Sequence, residues 1–164
     1  MNAERKKRQP RFEPIMTNVG DAVSTAFSML EELKDELQNW YDNLPESFQS
    51  GSKGDTLQEA IDALENIVEP DVSENVRDAA VTYQQDRKAT SRAKRCAEAC
   101  TILDACIGGL QEVAQDWREK AAKGQTGNEG EDLDALADEC DTLIDELDTA
   151  KSDAEGVEFP GMYG

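Results

Sequence analysis

The sequence predicts an all-α protein, an antiparallel helical bundle with coiled-coil-like heptad packing. Three observations carry this. The apolar residues are mainly Leu, Ala, Ile and Val, with only 5% aromatics, a composition suited to helices. Prolines at 10, 14, 45, 70 and 160 leave long intervals free of helix breakers. Apolar residues recur at alternating spacings of three and four. No run of alternating β-branched or aromatic residues bounded by hairpin turns stands out, so no strand is expected.

Four main helices follow in order. The first runs from Met16 through Val19, Val23, Ala26, Leu30, Leu33, Leu37, Trp40 and Leu44, with Thr17 or Asn18 as its cap. Pro45 stops it, because the residue before a proline is pushed out of the α region, and residues 46–54 form a turn. Thr56 and Glu59 have the capping-box spacing. They open a short helix that places Leu57, Ala60, Ile61, Leu64, Ile67 and Val68 on one face and ends at Pro70.

Ser73 caps the third element, residues 73–122, which is expected to be long or bent. Its seam of Val76, Ala79, Ala80 and Tyr83 falters across RKATSRAKR and resumes at Ala93, Cys96, Cys100, Leu103, Ile107, Leu110, Ala114 and Trp117. Gly108 and Gly109 fit a close helix approach or a kink. After the glycine-rich loop 123–131, the last seam is Leu133, Leu136, Cys140, Leu143, Leu147 and Ala150, with Ile144 beside it. The domain plan is thus a basic flexible arm at 1–14, a helical bundle at 15–154 and an extended tail at 155–164.

Charge decides which functions are compatible with this scaffold. Asp and Glu number 36 against 17 Lys and Arg, with no histidine and a formal net charge of −19. Such a surface disfavours nucleic acid and anionic membranes over most of its area. No apolar run reaches the length of a membrane span and the start lacks a signal-peptide core, so a cytoplasmic protein with reduced thiols is expected.

Two basic islands break the acidic field: Arg5, Lys6, Lys7, Arg8 and Arg11, then Arg87, Lys88, Arg92, Lys94 and Arg95. The second island could contact an anion. Internal neutralisation by neighbouring acidic helices is the simpler reading.

Four cysteines could in principle form a tetrahedral zinc centre, but Cys96, Cys100 and Cys106 have no knuckle spacing. With Cys140 they occupy or flank seam positions, so packing is expected. Asp132, Asp134, Asp138, Glu139, Asp141, Asp145, Glu146 and Asp148 crowd the polar side of the last helix. They lack the glycine of a calcium loop; a solvated helix face is the simpler reading, and an anionic face suited to a basic partner is the sharper one. Without histidine there is no Ser-His or Cys-His pair, and no phosphate loop follows a strand. The chain therefore reads as non-enzymatic, with no catalytic residue, cofactor or metal.

The runs WYDNLPE (residues 40–46) and LQEAIDALE (residues 57–65) fall in a segment, about residues 30–65, that resembles small acidic helical proteins of bacteriophages and prophages. The resemblance implies a viral context, in the host cytoplasm or a virion, and transfers no functional residue. In that context the expected function is an acidic inhibitor or adaptor that occupies a basic protein surface as a nucleic-acid mimic. The alternative is a structural or assembly protein forming a homodimer or higher oligomer. A weaker alternative is nucleic-acid binding through the basic islands.

Overall fold

The computed structural model describes residues 10–160. The cations Arg5, Lys6, Lys7 and Arg8, and Met162 and Tyr163 of the tail, lie outside the described residues. The protein is mostly helical with one small two-stranded sheet. The elements are β1 (Phe12–Asn18), α1 (Val19–Asn43), α2 (Glu46–Gln49), α3 (Ser52–Glu65), α4 (Glu74–Arg77), β2 (Ala80–Asp86), α5 (Arg92–Ala122), a 3-10 turn (Asn128–Gly130) and α6 (Leu133–Glu155). Among the described residues there are six α-helices rather than the expected four, because α2 and α4 are extra single turns.

The expectation that no strand forms is not met. β1 and β2 pair antiparallel, Phe12 opposite Asp86 and Asn18 opposite Ala80. Ile15 and Thr17 face Tyr83 and Val81 on the inner side, where Val81 is buried and Tyr83 packs on the core. Only a few inward residues need to be apolar in so short a ribbon, so the alternation is faint. Met16, expected to start the first heptad seam, instead points outward from β1 and is 85% exposed. The helix begins at Val19, and Asn18 caps it by accepting from the Asp21 N–H at 2.9 Å. β1 also crosses the expected arm boundary at residue 14.

From Val19 onward the α1 seam holds: Val19, Val23, Ala26, Leu30, Leu33 and Leu37 are buried, and Trp40 and Leu44 pack at the rim. α1 ends where Pro45 dictates, with Leu44 extended at φ −70° and ψ 141°. The next helix starts earlier than its capping-box signal. Gly51 is the N-cap of α3, and the Thr56 hydroxyl donates to the Ser52 carbonyl within the helix. Gly54 makes this start possible, since a side chain there would run into the backbone of Gln49 at the end of α2. α3 stops at Glu65, which leaves Val68 exposed rather than on the buried face.

The expected third helix is three elements. Ser73 does cap a helix, accepting from the Asn75 N–H at 3.1 Å, but α4 lasts one turn before the chain extends into β2. Ser91 caps α5 by accepting from the Lys94 N–H at 3.2 Å, inside the apolar gap where the seam faltered. Ala93 is exposed, while Cys96, Cys100, Leu103, Ile107, Leu110 and Ala114 are buried.

α5 is the central helix. Its start meets the end of α1 through Arg95 and Glu36 and the end of α6 through Cys96 and the Ala154 carbonyl. Its other end meets the start of α6 through Arg118 and Asp138, so α6 runs antiparallel to it. β2 lies against a third side, where Gly109 lets the Ala80 carbonyl approach. The tail is docked as far as it is described: Val157 is buried and Phe159 packs on the core. No polar or charged residue is buried among the described residues.

Candidate functional site

The acidic face is built by α6. Asp132 is its N-cap and accepts from the N–H groups of Asp134 at 3.0 Å and Ala135 at 3.4 Å, a favourable place for a carboxylate at the positive helix end. Leu133, Leu136, Cys140, Leu143, Leu147 and Ala150 are buried. The alternation leaves Asp134, Asp138, Glu139, Asp141, Asp145, Glu146 and Asp148 exposed on the solvent side. Residues 132–148 span about 24 Å at ~1.5 Å per residue, roughly one carboxylate per 3 Å. One strand of duplex DNA presents a phosphate every ~3.4 Å.

These carboxylates fall into two groups. Asp138 and Asp141 share Arg118, at 3.2 and 2.5 Å, and Glu139 accepts from Ser73 Oγ at 3.3 Å and Asn75 Nδ2 at 3.2 Å. They tie α6 to α5 and α4. Asp134, Asp145, Glu146 and Asp148 form no side-chain hydrogen bond or ion pair among the described residues. Lys151 lies at the far end of the face, paired with Asp104 at 3.1 Å.

The structure adds acidic residues the sequence reading missed. Asp71 lies between two clefts. One of about 240 Å³ is lined by Ser73, Val76, Glu139, Leu143 and Glu146. The other, of about 580 Å³, includes Asp21, Glu69 and Arg77. No periodic signal could find them, because Glu69 and Asp71 sit in the connection between α3 and α4.

The three arginines of the second basic island are drawn into ion pairs. Arg95 donates to both oxygens of Glu36, at 2.5 and 2.8 Å, and Arg92 Nε lies 3.4 Å from the same carboxylate. These hydrogen bonds, Arg95 foremost, hold the Glu36 pKa below the usual carboxylate value. The Arg92 guanidinium also sits 5.1 Å from the Trp40 ring centre, and Lys53 Nζ lies 5.0 Å from it. Arg87 pairs with Glu13 at 2.6 Å. Lys88 and Lys94 form no ion pair within 4.0 Å among the described residues. The five cations therefore do not converge on one anion site.

Arg11 grips Asp86 with two hydrogen bonds of 2.9 Å, and the Lys88 N–H donates to the same carboxylate at 2.9 Å. The Arg11 bonds and then the Lys88 N–H lower the Asp86 pKa to about 2. Because the folded value is depressed, the contact stabilises the ribbon above the unfolded carboxylate pKa of ~3.9. That contribution is lost as pH falls through about 2. In a carboxyl chemical-shift titration Asp86 is expected to titrate near 2 in the native chain and to move toward ~3.9 in Arg11→Ala.

All four cysteines are buried and unpaired by disulfides. The Cys96 thiol donates to the Ala154 carbonyl at 3.4 Å and the Cys100 thiol to the Lys151 carbonyl at 3.9 Å. The neighbouring Cys100 thiol, then burial, push the Cys96 thiol up, while Cys96 lowers the pKa of Cys100. Burial pushes the Cys106 thiol up to about 12 and the Cys140 thiol up to about 11. Among the described residues no group of three or more Cys, Asp or Glu is placed to hold a metal ion. No described helix is long and apolar enough to cross a membrane. No protein family, curated protein or solved structure matches the chain.

Proposed function

We propose that the chain is a non-enzymatic interaction protein whose α6 face docks on a basic protein surface, in the manner of a nucleic-acid mimic. One observation carries the reading. The carboxylates of residues 132–148 average one per ~3 Å of helix axis, a linear charge density close to that of a DNA strand, and Asp134, Asp145, Glu146 and Asp148 remain open for a partner. Asp138, Glu139 and Asp141 have a second role, holding α6 in place. The viral context implied by residues 30–65 suits an inhibitor or adaptor of this kind.

The test uses only the open carboxylates, so that folding and binding are separated. The immobilised chain is incubated with lysate of the cell that produces it. It is expected to retain proteins with basic surfaces, released by salt and by duplex DNA. The chain carrying Asp134→Lys, Asp145→Lys, Glu146→Lys and Asp148→Lys should bind them about 10- to 1,000-fold more weakly, four exposed charges at ~0.3–1 kcal/mol each. Equal retention by both chains, at unchanged helical content, rejects the reading.

A further inference from the structure

Cys96 and Cys100 are a second group of side chains with chemistry of their own. One helical turn apart on α5, they are 4% and 6% exposed and both turn to the end of α6, Cys96 to the Ala154 carbonyl and Cys100 to the Lys151 carbonyl. Each thiol is the largest influence on the other's acidity, so the two sulfurs are immediate neighbours. The remaining cysteines stand apart. Cys106 lies about 9 Å farther along α5, and Cys140 about 16 Å before Lys151 on α6.

Spacing decides what such a pair can do. On an intact helix the Cβ atoms of residues four apart are ~5–6 Å from each other, whereas a disulfide needs them at ~3.5–4.5 Å. Closing an S–S bond would therefore distort the first turns of α5. A two-coordinate metal ion asks for less. Two metal–thiolate bonds in line span ~4.6 Å, at ~2.3 Å for each, which sulfurs on adjacent turns reach without bending the helix.

The donor set narrows the ion. Thiolates are soft ligands of the kind that select copper(I). A structural zinc needs four ligands, and among the described residues no third Cys, Asp or Glu joins the pair. Cys100 gives up its proton first, because the neighbouring Cys96 lowers its pKa and Lys151 favours its thiolate. The same lysine offsets part of the negative charge that two thiolates and one monovalent cation carry. Lys151 also covers the approach to the pair, bound to Asp104 at 3.1 Å and Glu155 at 3.6 Å. These are exposed ion pairs near a helix end, where opening costs little.

We propose that Cys96 and Cys100 bind one copper(I) ion as a linear bis-thiolate. Each S–H bond is exchanged for an S–Cu bond and two protons leave to solvent, with no change in oxidation state. The Ala154 carbonyl keeps the Val157 N–H at 3.2 Å when it loses the Cys96 thiol, so the end of α6 stays capped.

The full chain, reduced and free of oxygen, is titrated with copper(I) held by bicinchoninate as competitor. One ion per chain is expected to transfer, with the ultraviolet absorption of a copper–thiolate bond, and X-ray absorption should find two sulfur neighbours. Cys96→Ala and Cys100→Ala should each weaken binding more than the ~10- to 100-fold that loss of an outer-shell partner costs. A chain with both Cys106→Ala and Cys140→Ala keeps only the pair and should bind as the native chain does, which decides the matter even where a single variant fails to fold. Transfer of no copper overturns the proposal, as does native affinity in Cys96→Ala or Cys100→Ala, or three or more ligands on the ion. Loss of binding in the Cys106→Ala and Cys140→Ala chain at unchanged helical content gives the ion to those thiols and also overturns it. The open α6 carboxylates take no part, so either result leaves the proposed function untouched.

Discussion

Leu103→Ala lowers the unfolding free energy by about 2–5 kcal/mol and the melting temperature by roughly 5–15 °C. Leu103 is fully buried on the helix that α1, α6 and the ribbon share. Its side chain is part of one continuous cluster that includes Leu33, Leu37, Leu110 and Leu147. Truncation removes the transfer free energy of the side chain and leaves a cavity that several elements must collapse to fill. With no polar residue buried nearby, water has no partners in that cavity. Urea unfolding with an unchanged slope is the measurement. A loss below ~1 kcal/mol would show that α5 is not the common support.

The adjacent glycines of α5 respond in opposite directions. A Cβ at Gly109 would lie 2.6 Å from the Ala80 carbonyl oxygen, whereas one at Gly108 has nothing within 4 Å. Gly109→Ala is expected to destabilise the protein by about 1–3 kcal/mol, because backbone rather than a flexible side chain must move. Gly108→Ala should stabilise it by about 0.5–1 kcal/mol, the ordinary helix preference for alanine. Location separates the two further. In Gly109→Ala, amide exchange at Val81 and Tyr83 should speed up before exchange in α6 does, since β2 is what the new methyl displaces. Equal effects at both positions would remove the close approach of β2 as the reason for Gly109.

The helices that pack along their whole length were legible from sequence. In α1 and α6 the heptad seam is buried along nearly the whole helix, so burial and spacing coincide from Val19 to Leu37 and from Leu133 to Ala150. The ribbon was not legible. Its two strands pair across a long sequence separation, and each inner face needs few apolar side chains. Pro14 and the exposed Met16 further blur the alternation of β1. Thr56 misled for a local reason, since the close approach of α2 at Gly54 sets the start of α3.

The candidate site divides in the same way. The carboxylates on α6 were readable as the complement of its seam. Arg118, Ser73 and Asn75, which occupy three of them, come from other elements, as does Asp71 in the clefts. Ion pairing was the simpler sequence reading of the second basic island; Arg87, Arg92 and Arg95 are paired, while Lys88 and Lys94 are not within 4.0 Å of a carboxylate among the described residues. The particular acceptors, Glu36 and Glu13, are fixed only by tertiary packing.

The distance along the chain between β1 and β2 has a consequence for biosynthesis. β1 leaves the ribosome about 60 residues before its partner strand, an interval of ~3–12 s at ordinary elongation rates. The α5 surface that supports the pair is made later still. Through that interval Phe12, Ile15 and Met16 form a short apolar segment with nothing to pair against. Pro14 within it and the cations just ahead of it, Arg8 and Arg11, act as gatekeepers that keep the nascent chain from joining others in a growing aggregate.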